Sequence, residues 1–194
     1  MTSRVFTIAV AAMRANGTVG PMRLFVVRHA RAEERSETHF TDDSLRPLTT
    51  QGSDEFARLA RRVARSWDAP ALVLASPFER AWATARILRD EAKWPKALRC
   101  EALEADHAGG IEALEQAIVE NVGESLALVG HEPILSELVS HLLGTELPSI
   151  VMRKGAVAVL DVALTLRSAG DMPGLFGSGT LLALADPRAI GIRE

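Results

Sequence analysis

The run Met22-Arg23-Leu24-Phe25-Val26-Val27 stops abruptly at Arg28-His29. A β-branched and aromatic run of that length reads as a buried strand of a parallel sheet, covered on both faces. In open α/β sheets, ligand-handling groups sit in the crevice beyond the carboxyl ends of the strands. Two more apolar runs end in the same way. Ala71-Leu72-Val73-Leu74-Ala75 leads into Ser76-Pro77-Phe78-Glu79-Arg80, and Ser125-Leu126-Ala127-Leu128-Val129 leads into Gly130-His131-Glu132-Pro133. Ser76 to Glu79 has the form of a capping box with Pro77 at the first helical position. That places Arg80 in a first helical turn, where free backbone N–H groups favour anions. If the three strands are parallel, Arg28, His29, Arg80 and His131 face one crevice.

Helical patterns alternate with these strands. Thr49 is a good N-cap, and Phe56, Leu59, Ala60, Val63 and Trp67 fall on one face at helical spacing. A helix from Pro77 buries Phe78, Ala81, Trp82, Ala85 and Leu88, and another from about Gly110 carries Ile111, Leu114, Ala117 and Ile118. A third follows Glu132 with Ile134, Leu135, Leu138 and Leu142, and Gly144 is its stop. Two further strand-like runs, Ala156 to Leu160 and Thr180 to Leu184, close the chain. Strands alternating with helices indicate an α/β protein. The expected architecture is a three-layer sandwich, with a mainly parallel central sheet and helices on both faces.

The constellation at the strand ends suits phosphoryl transfer. Two arginines can hold the oxygens of a phosphoryl group by forked, charge-assisted hydrogen bonds. An imidazole nitrogen attacks phosphorus without an alkoxide having to be generated first. Beyond that, phosphoryl transfer asks the protein mostly for positioning and charge stabilisation. A metal shared by His29 and His131 is disfavoured by the arginines beside them, and His39, His107 and His141 show no ligand spacing. No metal or other cofactor is expected.

Arg28-His29-Ala30-Arg31-Ala32 resembles the Arg-His-Gly motif of the histidine phosphatase superfamily, which has the phosphoglycerate mutase-like fold. Arg46-Pro47-Leu48-Thr49-Thr50-Gln51-Gly52 is similar to the linker into that family's first helix, and Ser76 to Ala85 to the segment with its second arginine. Val129-Gly130-His131-Glu132-Pro133 has the form typical of the small bacterial SixA-type phosphohistidine phosphatases. The resemblance runs from about Met22 to about Ile190. It implies His29 as the nucleophile that becomes phosphorylated. Arg28 and Arg80 would hold the phosphate, and His131 would complete the clamp and polarise the phosphoryl group. Ala30 stands where the family has glycine, and alanine at a positive φ would be strained and would lower activity. The family's general acid corresponds to the region of Glu101, Glu104 and Asp106, of which Asp106 is the candidate. A phosphohistidine substrate needs such an acid less, because its leaving imidazole is protonated near neutral pH.

Length and charge set the remaining bounds. The chain of 194 residues can bury one core, and residues 22–194 are expected to form a single histidine phosphatase domain. The first 21 residues carry Arg4 and Arg14, no acids and a short apolar stretch, Ile8 to Met13. They are expected to be a flexible extension. A net charge of −3 gives no bulk attraction to nucleic acid or an anionic membrane, and no apolar run approaches the ~18–20 residues of a membrane span. The single cysteine, Cys100, excludes an internal disulfide framework and fits a cytoplasmic setting. Arg58, Arg61, Arg62 and Arg65 make a basic stripe opposite the first helix's apolar face, expected to be simply its solvated side. Three readings follow. The first is removal of phosphate from a phosphorylated protein such as a histidine phosphotransfer domain. The second is hydrolysis of a small phosphomonoester. The third is a catalytically weak module that binds phosphorylated ligands, suggested only by Ala30.

Overall fold

The computed structural model describes residues 21–36, 39–121, 125–145, 149–163 and 174–190. Except for Pro21, the N-terminal extension lies outside the described residues. Along the chain the elements are β1 (Met22–Arg28), α1 (Thr50–Ser66), β2 (Leu72–Ala75), α2 (Glu79–Ala92) and β3 (Leu98–Arg99). They continue with α3 (Gly110–Glu120), β4 (Ser125–Gly130), α4 (Ile134–Leu142), β5 (Val157–Val162), β6 (Gly179–Ala185) and a short α5 (Pro187–Ile190). The strands form one sheet in the order β3-β2-β4-β1-β5-β6. β3, β2, β4 and β1 pair in parallel, whereas β5 is antiparallel to both β1 and β6.

The register between the parallel strands positions the crevice. Arg28 lies opposite Gly130, and Ala75 opposite Val129. The next residues on the three strands, His29, Ser76 and His131, therefore leave the sheet at one edge and at one level.

Side chains alternate across β1 and so divide the core in two. Leu24 and Val26, with Leu126 and Leu128 of β4, pack against Leu114 and Ile118 of α3 and Leu135, Leu138 and Leu142 of α4. Phe25 and Val27, with Ala127 and Val129, pack against Phe56, Leu59 and Val63 of α1 and Ala81, Ala85 and Leu88 of α2. This is the expected three-layer α/β sandwich. Thr49 caps α1 as its residue type suggests, accepting from the Gly52 N–H at 2.9 Å. Gly144 ends α4 with φ +77°.

Two expectations need correction. The helix expected from Pro77 starts at Glu79, because Phe78 is extended (φ −61°, ψ 134°) and has no side-chain cap. Ser76 is therefore not a capping-box residue. Its Oγ accepts from the Phe78 N–H at 3.2 Å instead. Phe78 and Trp82 are only half-buried. β3 carries no apolar pattern to announce it, since its two residues are both exposed at the sheet edge.

Gly52 packs the start of α1 against the loop that follows β1. A Cβ there would lie 2.3 Å from the Arg31 carbonyl oxygen and 2.7 Å from the Arg31 Cβ. The same carbonyl accepts from the Thr49 N–H at 3.0 Å, so it cannot withdraw freely. Gly52→Ala is expected to cost ~1–3 kcal/mol, as overpacking of a tight contact does. For a domain of this size that lowers Tm by about 2–4 °C per kcal/mol. Urea and thermal unfolding of the variant check this, and an unchanged midpoint would contradict the packing described.

Candidate active site

At the carboxyl edge of the sheet, the His29 N–H donates to the Gly130 carbonyl at 3.0 Å and the Ser76 N–H to the Val129 carbonyl at 2.9 Å. These bonds bring the His29 and His131 rings to 5.0 Å between centroids. Arg80, in the first turn of α2 as expected, reaches the same place. His29, Arg80 and His131 are 5%, 3% and 2% exposed. Phe78 lies against this group, its ring 5.2 Å from that of His131 and 5.1 Å from the Arg80 guanidinium carbon. Arg28, the fourth residue expected here, donates from Nη1 to the Met152 carbonyl at 2.6 Å.

The hydrogen-bond partners define what each group can do. His29 Nδ1 lies 2.7 Å from the Ala30 carbonyl. A carbonyl only accepts, so the ring proton sits on Nδ1 and Nε2 carries the lone pair. His131 Nε2 is 3.0 Å from Ser76 Oγ. The residue expected to cap a helix thus braces a histidine. Buried polar atoms are normally satisfied. Among the described residues, however, Arg28 Nε, Arg80 Nε and His131 Nδ1 are buried without a partner. The two arginine Nε–H groups are donors suited to the oxygens of an anion, and His131 Nδ1 joins them in the tautomer whose Nε2 accepts from Ser76 Oγ.

Asp43 belongs to this site and escaped the sequence reading. It opens a short 3-10 turn, Asp43–Leu45, which Asp42 caps by accepting from the Ser44 N–H at 2.9 Å. Arg80 Nη1 donates to the Asp43 carbonyl at 2.7 Å, and its Nη2 lies 3.0 Å from Asp43 Oδ2. Arg46 and Arg35 donate to Oδ1 of the same carboxylate at 2.9 and 3.2 Å. The available signal was the Asp-Asp-Ser turn before Arg46-Pro47, which marks a turn but not its partner across the site.

Asp106 is exposed in the turn before α3 and makes no hydrogen bond or ion pair among the described residues. Its charge is felt by Arg35, at the outer side of Asp43. Ala30 is not at a positive φ. Among the described residues Lys93 is the only non-glycine residue there, so the expected strain is absent. The Ala30 N–H donates to Thr84 Oγ1 at 3.0 Å, and the methyl group is buried.

Charge in the crevice is set by burial and by the neighbouring arginines. Burial, reinforced by Arg80, Arg28 and Lys154, lowers the His29 pKa from 6.5 to about 3, against the opposing hydrogen bond to Ala30. Burial, with His29 and Arg80, lowers His131 to about 2. Burial of Asp43 opposes its ionisation. Hydrogen bonds from Arg46 and Arg35 and the charge of Arg80 outweigh that effect and hold its carboxyl at about 2. At neutral pH both imidazoles are therefore neutral, and Asp43 is an anion.

Buried, cationic and supplied with an unprotonated imidazole, the crevice suits a phosphoryl group, and the class it defines is a phosphatase. The profile of the histidine phosphatase superfamily (branch 1) matches residues 24–109. Phosphohistidine phosphatase SixA of Escherichia coli is 29% identical over 140 residues, which span 71% of this chain and 84% of that protein. The structure of the protein histidine phosphatase SixA complexed with tungstate superposes with a TM-score of 0.68 at 26% identity. That match covers 87% of this chain and 99% of the other. A mycobacterial glucosyl-3-phosphoglycerate phosphatase matches with a TM-score of 0.54 at 15% identity, over 73% and 91% of the two chains, a likeness in fold alone. Residues 24–109 thus resemble the histidine phosphatase superfamily, and the similarity to SixA agrees with the Gly130-His131-Glu132-Pro133 motif.

The pKa shifts predict how stability depends on pH. The unfolded chain takes up protons on His29 and His131 below pH 6.5, whereas the folded chain does not until about 3 and about 2. The unfolded state binds more protons in that window, so stability is full above pH 6.5 and falls as the pH drops through it. NMR should show neither imidazole titrating between pH 5 and 8 in the free protein, and urea midpoints should fall from pH 7 to 5. Titration of His29 near pH 6.5 would show that its ring is not desolvated.

Proposed function

We propose that this chain is a cytoplasmic phosphohistidine phosphatase that removes phosphate from histidine on a phosphorylated protein through a phosphohistidine intermediate on His29. The observation that carries the mechanism is His29 itself. It is buried and neutral, with Nδ1 fixed on the Ala30 carbonyl. Its Nε2 lone pair attacks phosphorus in line, and the P–N bond of the substrate breaks. The electron pair of that bond goes to the departing imidazole, which takes a proton from solvent. Water then attacks phosphorylated His29, loses a proton, and releases inorganic phosphate and the free imidazole. Arg28, Arg80 and the Nδ1 side of His131 hold the three oxygens during both steps, as preorganised donors that need no rearrangement.

Neither Asp43 nor Asp106 supplies a proton to a leaving group, which favours a P–N substrate. Asp43 is ionised at neutral pH and committed to three arginines, so it has no proton to give. Asp106 stands exposed and has no role in this reading. Imidazole leaves without a dedicated acid more readily than an alkoxide does. The similarity to SixA, a phosphohistidine phosphatase by name, supports the same substrate class. No helix among the described residues is long and apolar enough to cross a membrane. A single cysteine, half-buried and with its thiol pushed up by burial, supports the cytoplasmic setting.

The test is hydrolysis of a histidine-phosphorylated phosphotransfer domain beside a panel of phosphomonoesters. The expected outcome is preference for phosphohistidine. His29→Ala should bring turnover to background with the fold intact. Arg80→Ala should cost ~10²–10³ in kcat/KM, as loss of one preorganised donor does. Near-native activity of His29→Ala would refute the mechanism. A preference for a small phosphomonoester would keep the nucleophile and reassign the substrate, and no turnover with retained phosphate binding would favour the binding-module reading.

A further inference from the structure

Beside the phosphoryl crevice lies a second cleft, of about 250 Å³, lined by Arg28, Arg31, Arg153, Lys154 and Arg188 together with Glu55, Asp186 and Pro187. It is bonded directly to the site. The Gly155 N–H donates to the His29 carbonyl at 2.9 Å, and the Arg28 N–H to the Ala156 carbonyl at 3.0 Å, so the turn bearing Arg153 and Lys154 adjoins the proposed nucleophile. Arg28 belongs to both spaces. The cations outnumber the carboxylates, and both carboxylates are already engaged. Glu55 lies 3.7 Å from Arg31, and Asp186 lies 3.5 Å from Arg153 while accepting from the Arg188 N–H at 2.8 Å. Lys154 makes no ion pair among the described residues, and its charge reaches His29. This excess of positive charge runs against the protein's net charge of −3.

We propose that the cleft is a second anion subsite, which receives carboxylate side chains displayed beside the phosphohistidine of the protein substrate. The inference rests on the phosphohistidine reading and deepens it. The cations here are of a different kind from those in the crevice. Arg80 is buried and held rigidly by Asp43, whereas the Arg153 side chain is 64% exposed and Lys154 and Arg188 are also exposed. Solvated cations on long stems are poorly preorganised for a single small metabolite. They suit a diffuse acidic surface, which they attract at a distance and whose association rate they raise. By contrast, the arginine stripe on α1 adjoins no catalytic group in this way, and its Arg61 is paired with Glu91 at 2.5 Å.

The experiment compares a histidine-phosphorylated phosphotransfer domain with phosphoramidate, a P–N substrate that has no carboxylate. Reversing two charges with Arg153→Glu and Arg188→Glu should raise KM for the phosphoprotein about tenfold, within the range by which steering alters association. It should also flatten the salt dependence of kcat/KM, while kcat and phosphoramidate turnover stay unchanged. Arg153→Gln with Arg188→Gln, which sets no new carboxylate beside Asp186, should move KM in the same direction by less. The same two-charge reversal at Arg62 and Arg65, farther along α1, should leave KM unchanged. An unaltered phosphoprotein KM in both cleft variants would overturn the subsite. So would a loss in the glutamine variant shared equally by phosphoramidate, or an equal rise from the α1 variant. If the wild type hydrolyses phosphoramidate but not the phosphoprotein, the protein-substrate reading itself fails, and the proposed occupant with it.

Discussion

One backbone hydrogen bond, from the His29 N–H to the Gly130 carbonyl at 3.0 Å, holds the proposed nucleophile at the edge of the sheet. It is the last rung of the parallel β1–β4 ladder and exists only because Arg28 pairs with Gly130. A one-residue slip would turn every side chain of β1 to the other face. Leu24 and Val26 would then exchange layers with Phe25 and Val27, and His29 would move away from His131. The two halves of the core, which require that alternation, also enforce the geometry of the site. Packing and chemistry rest on the same register.

Electrostatics adds a second layer. Burying Arg28 and Arg80 without a full set of partners is unfavourable, and burial lowers the pKa of both guanidinium groups. Keeping the two histidines neutral limits the charge that has to be buried. Asp43 supplies a counter-charge on the outer side of Arg80, so that the inner side, with its unpartnered Nε, stays available. A phosphoryl group would complete a set of interactions that the folded protein leaves open, much as a polar network with one member missing gains most from that member.

The strand ends were legible because the chemistry-bearing residues interrupt apolar runs at once, and a parallel sheet brings such ends together. Helix faces and the Thr49 cap were legible because they depend on local spacing. What escaped depends on distant partners. Ser76 has the local signature of a cap, but the extended backbone at Phe78 delays the helix, and His131, 55 residues away, takes the hydroxyl. Asp43 meets Arg80 across 37 residues, and nothing in its own neighbourhood announces that pairing. The direction of β5 is likewise set by how the chain returns to the sheet, since an apolar run reads the same in a parallel or an antiparallel pair. Ala30 shows the converse case. The family's glycine suggested a special backbone conformation, yet the chain meets the position with an ordinary φ.

The grip of Asp43 on Arg80 has a kinetic and entropic consequence. A free arginine side chain carries up to ~2 kcal/mol of rotamer entropy, which it would lose each time a substrate arrived. With one nitrogen bonded to the Asp43 carbonyl and another beside its carboxylate, Arg80 gives up that freedom once, when the chain folds. Every later turnover then begins with the guanidinium already oriented. In the proposed clamp the same fixity would apply to the outgoing phosphate, so the stiffness that favours capture would also bear on release.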